Sequence, residues 1–505
     1  MTASIPFIFL AALFVYRAPA LSGSGVTDPD YYWHLGYGEW ILENGRLPSV
    51  DFWSWTFDGH SYRLTQWLGE VVMALAHQLG GEVGTSTLAA LLVTLAMAAS
   101  YRTARCFLDN RLAALAVAVG CNAILVSLAC RPHQFTHLGL ALLTWIVASY
   151  QTTGNRKTLY WIPPLMAAWV NLHGGYAFGL TYLGMIVSFM VIDAYVRRDT
   201  ASLRATVLPL CIATGAGFAA TLLNPYGWGA WQYAIEIAGM KSASAGIVDE
   251  WAATNIKTDV GLNFFIVTSA MCAAMALTRR RPLLTQVLTA LALIALGWSA
   301  VRLSLMVTVL MVPLVAAALR DTAFYDLVFD GDGRKYDREF SIGRALATVV
   351  ACFAISISVA KLDKTTARHV TAKMPEAEVA FLRTNHVAGR ILNAPEIGGY
   401  LIRKLGAKVS IDTRLDLYGD RALFEYLFAM RADAGWKDYI AKLDPDVVLI
   451  NNPAALRQVL ADSGLYRPVF EGAAYTILIR QNQYLELPTI ELGQPSASVL
   501  SQLKS

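Results

Sequence analysis

Apolar residues along this chain come in long, nearly unbroken runs separated by polar links, rather than alternating or recurring as narrow helical stripes. A helix needs roughly 17 or more predominantly apolar residues to cross the hydrocarbon core of a bilayer. By that measure the pattern predicts about eleven spanning helices. They fall near 4–20, 83–101, 112–130, 134–151, 158–171, 175–195, 205–223, 260–278, 282–300, 303–319 and 344–360. The stretch 66–79 is read as a short surface helix, because it holds Glu70, His77 and Gln78 and is too short to cross. Beyond 360 the pattern changes. Short apolar runs at 391–394, 408–412 and 447–451, then Tyr466–Phe470 and Tyr475–Arg480, are separated by helical patterns at 395–405, 420–430, 436–443 and 454–462. Strands alternating with helices predict a small α/β domain with a partly parallel sheet. The expected fold class is therefore a polytopic α-helical membrane protein with a C-terminal extracytoplasmic α/β domain. Residues 1–360 form the transmembrane domain, including an outer loop at 21–82, and residues 361–505 form the α/β domain.

Composition and charge orient this arrangement. Of 505 residues, 55% are hydrophobic and 15% charged, with a mean hydropathy of +0.44, far from the balance of a soluble globular protein. With the N-terminus inside, the inward links hold about sixteen Lys and Arg against about six outside, the positive-inside asymmetry. Counting 66–79 as a span would reverse every later link and destroy that bias. The expected orientation is a cytoplasmic N-terminus with residues 361–505 outside. The first apolar run lacks a basic leading segment, so it reads as an uncleaved helix. A net charge of +4 is too small for a chain this size to argue for a nucleic-acid partner. The six cysteines lie in or beside apolar runs, with none in the segment 361–505, so they give no disulfide framework to read.

The outer loop carries the densest local signals. Asp28 is placed as a helix N-cap with Pro29 at the first helical position, and Asn44-Gly45 as the stop. Between them lie Tyr31, Tyr32, Trp33, Tyr37 and Trp40, residue types that settle at the headgroup level. Asp30 and His34, four apart, share one face. Trp53, Trp55 and Phe57 lead to Asp58-Gly59 and are answered by Tyr62 and Leu64, a hairpin with a two-residue turn. Gln66, Trp67 and Glu70 then open the short second helix.

Under the expected topology, most remaining unusual polar groups also fall at outward ends. They are Arg131, His133 and His137, Asn171 to Gly175 with His173, Asn224 to Trp228 with Tyr226, Glu250-Trp251, and Arg302. Ionisable groups near membrane depth are costly and usually mark a site or a pathway. Singly, each also has a plain structural reading: a cap for Asp28, a dipole partner for Asp30, snorkelling for Arg131 and Arg302, turn chemistry for the Asn, Gly and Pro residues. Their common sidedness favours one extracytoplasmic cavity. Candidate site residues are Asp28 and Asp30 as catalytic carboxylates, with His34, Gln66, Glu70, Arg131, His133, His173, Asn224, Tyr226, Glu250 and Arg302 around the substrate. Paired carboxylates beside histidines and arginines suit a phosphate-linked substrate, because Arg offers forked donors to phosphate oxygens. A carboxylate there can take a proton from an acceptor hydroxyl. Asp28 and Asp30 could equally hold a divalent cation, Mg or Mn. No Gly-rich nucleotide loop is present, which argues against a soluble nucleotide donor. In the α/β domain, Asp412, Arg414, Asp416 and Tyr418 follow a strand end, either as a ligand site or as an ion-pair network fixing a loop.

An N-inside helix, a large outer loop opening on an acidic motif, and a many-helix body resemble the type-C (GT-C) membrane glycosyltransferases. That superfamily includes oligosaccharyltransferase, protein O-mannosyltransferase and the lipid A aminoarabinose transferase. The string DPDYYWHLGYGEWILENGRLP, followed by WSWTFDGHSYRLTQWLGE, resembles its largely uncharacterised bacterial members. So do NLHGG (171–175), NPYGW (224–228), Glu250-Trp251 and the segment 398–419. The resemblance covers most of the chain. It implies transfer of a sugar from a polyprenyl-phosphate donor to a glycan, lipid or protein acceptor on the outer face, with inversion at the anomeric carbon. Asp28 matches the first acidic residue of the family loop, a base or metal ligand. Pro29 stands where relatives often carry Glu, so the acidic pair becomes Asp28 and Asp30. Two rivals remain: a transporter or flippase of a lipid-linked glycan, and a non-catalytic subunit of a polysaccharide assembly machine.

Overall fold

The computed structural model describes residues 5–20, 28–127, 130–240, 249–330 and 374–493. They divide into two compact units, one helical and one mixed. The helical unit holds the described residues of 5–20, 65–238 and 249–330; the mixed unit gathers 28–64 with 374–493. Most of the outer loop thus packs with the C-terminal segment, whereas the hydrophobic pattern had grouped it with the spanning helices. The reason is side-chain chemistry: its aromatic helix buries Tyr31, Tyr32, Trp33 and Tyr37 within the mixed unit instead of lying at a lipid surface.

Among the described residues of the helical unit, five helices are long and apolar enough to cross a membrane. They are Trp67–Arg105, Tyr176–Val196, Thr200–Ala220, Asp259–Ala276 and Val301–Arg320, with Arg111–Leu125 and Leu284–Ser299 shorter and apolar. The expected span 158–171 contracts to a 3-10 turn and the eleven-residue helix Ile162–Leu172. His133–Thr153 is long, but its first turns carry His133, Gln134 and His137. The expected eleventh span, 344–360, lies outside the described residues. Punctuation follows local chemistry. Asn110 caps Arg111–Asn122 by accepting from the Leu112 and Ala113 N–H groups, and Gly154 closes His133–Thr153 at φ 68°. Within Trp67–Arg105 the helix breaks at Gly80 and Gly81, where Gly81 takes φ 59°, ψ −141°. A surface turn and a spanning helix are thus joined by a glycine hinge where the sequence separates 66–79 from 83–101. Trp169 anchors the core between two helices: a Cβ on Gly139 or Gly179 would strike its ring at 2.6 or 2.7 Å.

The mixed unit is built on a four-stranded sheet of order β1-β2-β4-β3, with β1 Ile391–Asn393, β2 Val447–Asn451, β3 Tyr466–Glu471 and β4 Tyr475–Arg480. β1 and β2 run parallel, Ile391 opposite Val447, and the other two pairings are antiparallel. The sheet is therefore partly parallel, as the alternation of strands and helices implies. Val409 extends its edge through single bridges to Ile391 and Ser54.

Two local expectations are corrected. Helix Tyr31–Asn44 does end at Gly45 in the left-handed region, but its N-cap is Asp30 and not Asp28. The Asp28 carboxylate instead accepts from the Asp30 N–H at 2.9 Å, tightening the turn before the helix. The aromatic stretch after Pro48 is not a two-residue hairpin. Asp51 and Tyr62 bond to His60 and Ser49, while the Trp55 N–H donates to Val409 and Val409 donates back to Trp53. Cross-strand pairing with a segment far along the chain outcompetes the local turn. The Gly398-Gly399 pair on helix Pro395–Leu405 permits a second close approach, since a Cβ on Gly399 would lie 3.1 Å from the Pro29 carbonyl.

Candidate active site

The ends of several helices in the helical unit converge on a basic cluster. Arg131 donates to Glu250 at 3.0 Å, and Arg302 lies 3.6 Å from the other oxygen of the same carboxylate. Arg302 also stacks over Trp251, 5.5 Å from its ring centre. The Glu250 side chain is 42% exposed. Partial burial pushes its carboxyl pKa up, but the two guanidinium groups outweigh that and hold it below the usual carboxylate value. His133 sits against His137 with ring centres 5.6 Å apart. Arg131, His137, His173 and Arg302 are all near enough to His133 to act on it electrostatically. Among the described residues, neither ring nitrogen of His137 has a hydrogen-bond partner.

His173 is the most firmly held member. Its Nδ1 accepts the Gly175 N–H at 3.0 Å and lies 2.7 Å from the Thr136 hydroxyl. That hydroxyl oxygen accepts from the Trp169 indole at 3.1 Å, so its own proton points to Nδ1. An Nδ1 that accepts a backbone N–H cannot carry a proton, so the neutral ring is fixed as the Nε2–H tautomer. Gly175 is required here, because a Cβ would fall 2.1 Å from Thr136 Oγ1. Thr136 and Trp169 were not singled out from sequence, because an isolated Thr or Trp in an apolar helix reads as packing; His137 was noted with the outward polar groups but not among the candidate site residues.

Around this cluster the NLHGG and NPYGW motifs act chiefly as scaffolding. Asn171 accepts from the Trp67 indole at 3.0 Å and donates to the Leu223 carbonyl at 2.9 Å. The Asn224 amide is engaged within its own turn, accepting from the Tyr226 N–H and donating to Thr221 and Gly227. Gln66 and Glu70 stand at the start of Trp67–Arg105, with Glu70 fully buried. Gly69 lets this helix approach the Leu172 carbonyl, which a Cβ would meet at 2.4 Å.

The acidic pair lies in the mixed unit. Asp30 accepts from the Thr413 hydroxyl and from the Trp33 indole, which also bonds Thr413 at 3.0 Å. His34 is buried with its ring 3.6 Å from that of Trp33. Nearby sequence positions converge on Arg414, which is fully buried between Asp412 and Asp51, each bonded at 2.6 Å. Tyr37 accepts from the same guanidinium, the Tyr418 hydroxyl donates to Asp412 at 3.0 Å, and the rings of Tyr37, Trp53, Tyr62 and Tyr418 surround it. The segment after Val409 is thus an ion-pair network locking a loop. Asp51 is the partner that sequence reasoning missed, being 363 positions away.

Among the described residues, no group of three or more His, Cys, Asp or Glu side chains is arranged to hold a metal ion. Asp28 and Asp30 are committed to a backbone N–H and to Thr413 and Trp33, so the expected Mg or Mn site is not supported by the donor set.

No protein-family model matches the chain, and no curated protein does. Solved structures match along nearly its whole length. The apo oligosaccharyltransferase of Archaeoglobus fulgidus superposes with a TM-score of 0.56 at 12% identity, covering 96% of this chain and 75% of that one. The mycobacterial arabinofuranosyltransferase AftD gives 0.52 at 14% identity, covering 95% of this chain and 40% of that longer one. ArnT from Cupriavidus metallidurans gives 0.50 at 13%, covering 94% and 97%. This chain has the GT-C glycosyltransferase fold. With its apolar helices, that makes it a membrane protein. Among GT-C structures, the Archaeoglobus enzyme has been captured with a dolichol-phosphate and an inhibitory peptide, and separately with zinc and sulfate.

Proposed function

We propose that this protein is a GT-C-type glycosyltransferase that moves a sugar from a polyprenyl-phosphate donor to an acceptor hydroxyl of an envelope glycan, lipid or protein. The observation that carries this reading is the pair of arginines, Arg131 and Arg302, converging on one carboxylate beside three histidines in a GT-C fold. An anion is already the preferred occupant of that position. Phosphate oxygens suit the same forked donors. In the proposed reaction the acceptor oxygen attacks the anomeric carbon, the bond from that carbon to the phosphate oxygen breaks, and the polyprenyl phosphate leaves with both electrons. The acceptor proton passes to a carboxylate, for which Asp28 and Asp30 are the candidates from the sequence, and the sugar is inverted. Arg131, Arg302, His133 and the Nε2–H of His173 bind the phosphate, with Gln66, Glu70 and Tyr226 lining the substrate path. Glu250 keeps the arginines together. No step is routed through a metal. The protein is placed in a bacterial plasma membrane with the mixed unit outside.

Purified protein in lipid nanodiscs, given a radiolabelled polyprenyl-phosphate sugar and a membrane extract as acceptor source, should produce labelled acceptor. Full transfer by both Asp28→Asn and Asp30→Asn removes the carboxylate proposal. Transfer of intact lipid-linked glycan across a vesicle bilayer, with no cleavage of the sugar–phosphate bond, would instead establish the flippase.

A further inference from the structure

The helical unit has a second polar feature remote in sequence from the cluster above. Met275, Thr278, Arg280, Arg281, Pro282, Gln286, Leu314, Ala317, Ala318 and Asp321 enclose a cleft of about 150 Å³. Two of the five candidate spans, Asp259–Ala276 and Val301–Arg320, end here, and Leu284–Ser299 begins here. We propose that this cleft binds the headgroup of an anionic phospholipid. The argument does not depend on the glycosyltransferase reading.

Charge is the first reason. Arg279 is already paired with Asp326. Asp321, the acid in the cleft, is held by the backbone: its side chain accepts the Arg280 N–H at 2.7 Å and its carbonyl accepts the Arg279 N–H at 2.9 Å. Among the described residues, Arg280 and Arg281 have no carboxylate partner, although both lie in the link between two apolar helices. Gln286 accepts the Leu283 N–H through its side-chain oxygen at 2.9 Å, which leaves its amide N–H groups as donors. Two forked guanidinium groups and an amide match the oxygens of a phosphodiester.

The second reason is the other wall. Met275, Leu314, Ala317 and Ala318 give that wall an apolar surface. A free phosphate would gain nothing from that surface, whereas a lipid lays its glycerol and first methylenes along it. The volume is well below that of a drug- or nucleotide-sized pocket. Basic pockets between helix ends bind anionic headgroups through this combination of contacts.

The test is native mass spectrometry of the full chain released from nanodiscs of mixed phosphatidylglycerol and phosphatidylcholine. Phosphatidylglycerol should be retained preferentially. From the strength of one basic side chain at an anionic leaflet, Arg281→Gln should lower that retention ~5-fold and Arg280→Gln with Arg281→Gln ~25-fold. Arg204→Gln, a basic residue outside the cleft, should leave it unchanged. Equal retention of the two lipids by the wild type, or an equal loss in Arg204→Gln, overturns the proposal. So does displacement of phosphatidylglycerol by inorganic phosphate, which would make the cleft a site for the free anion.

Discussion

Replacing Arg414 by Gln tests the packing logic of the mixed unit most directly. The guanidinium neutralises two carboxylates, Asp51 and Asp412, whose side chains are wholly inaccessible to solvent. Removing it leaves both acids inside without a counter-charge, supported by the Ser54 N–H and hydroxyl and the Trp53 N–H on Asp51, and by the Tyr418 hydroxyl and the residue-414 backbone N–H on Asp412. Breaking a buried ion pair from one side costs about 3–5 kcal/mol, a large share of the ~5–15 kcal/mol that holds a domain folded. For a unit of this size the loss corresponds to a melting shift of ~10 °C. The contrast is Lys408, whose pairing with Asp58 at 2.7 Å is about half exposed on both sides. Lys408→Gln should cost below ~1 kcal/mol. Arg414→Lys should fall between, keeping the charge but losing the fork that spans both acids. Adding Asp51→Asn and Asp412→Asn to Arg414→Gln should recover part of the loss by removing the stranded charges. The assay is intrinsic tryptophan fluorescence on heating, supported by limited proteolysis of 374–493. A melting point for Arg414→Gln as high as that of Lys408→Gln would refute the reasoning.

Three further outcomes follow from the site and its surroundings. Glu250→Gln releases Arg131 from its charged partner and should lower kcat/KM for a polyprenyl-phosphate sugar about tenfold, the worth of a hydrogen bond to a charged group; unchanged kinetics would show that the arginines need no such tether. Thr136→Val should leave the His173 ring nitrogens in the Nε2–H pattern in 15N spectra, because the Gly175 N–H still fills Nδ1; a shift to the Nδ1–H pattern would show that the Thr136 hydroxyl, not Gly175, sets the tautomer. Burial raises the pKa of Glu378 above its ordinary value, against opposing backbone hydrogen bonds that include one from Tyr475. A carboxyl raised on folding contributes stability that is complete below its unfolded pKa and lost as pH climbs through the folded one. Glu378→Gln should therefore melt higher than the wild type at neutral pH, with the gap closing toward pH 4, and a gap that widens on acidification would reverse the assignment.

What the sequence disclosed was governed by local chemistry. Gly45 could be placed because a left-handed stop is settled within a few positions. The sheet strands and the helices at 395–405 and 436–443 were legible for the same reason, through short apolar runs punctuated by polar turns. Asp28 was misplaced because Asp-Pro is a good cap signal in isolation, and nothing nearby announces that Asp30 will be met by Thr413, 383 residues on. Trp53 and Trp55 looked like a hairpin arm for the same reason; their partner is Val409. Arg131, His133, His173, Glu250 and Arg302 could be named because ionisable groups at the ends of apolar runs are conspicuous. Thr136 and Trp169 could not, since their role lies in a chain of hydrogen bonds across two helices and not in their type.

The charge balance of the basic cluster bears on why the proposed donor suits it. Arg131 and Arg302 contribute two positive charges and Glu250 one negative, while His173, with Nδ1 occupied by the Gly175 N–H, is neutral. The net is one positive charge facing a donor that is a phosphodiester with one negative charge. As the bond to the sugar breaks, the phosphate moves toward a monoester with up to two. A cluster of two unscreened arginines would bind the donor itself tightly and gain less on the way to the transition state, because only interactions that strengthen there accelerate the reaction. Glu250 tempers the ground-state attraction, and the Nε2–H of His173 is a donor whose hydrogen bond strengthens as charge accumulates on the leaving oxygen. On this argument the carboxylate between the arginines and the locked tautomer serve one end: weak preference for the donor as it arrives, strong preference for the phosphate as it departs.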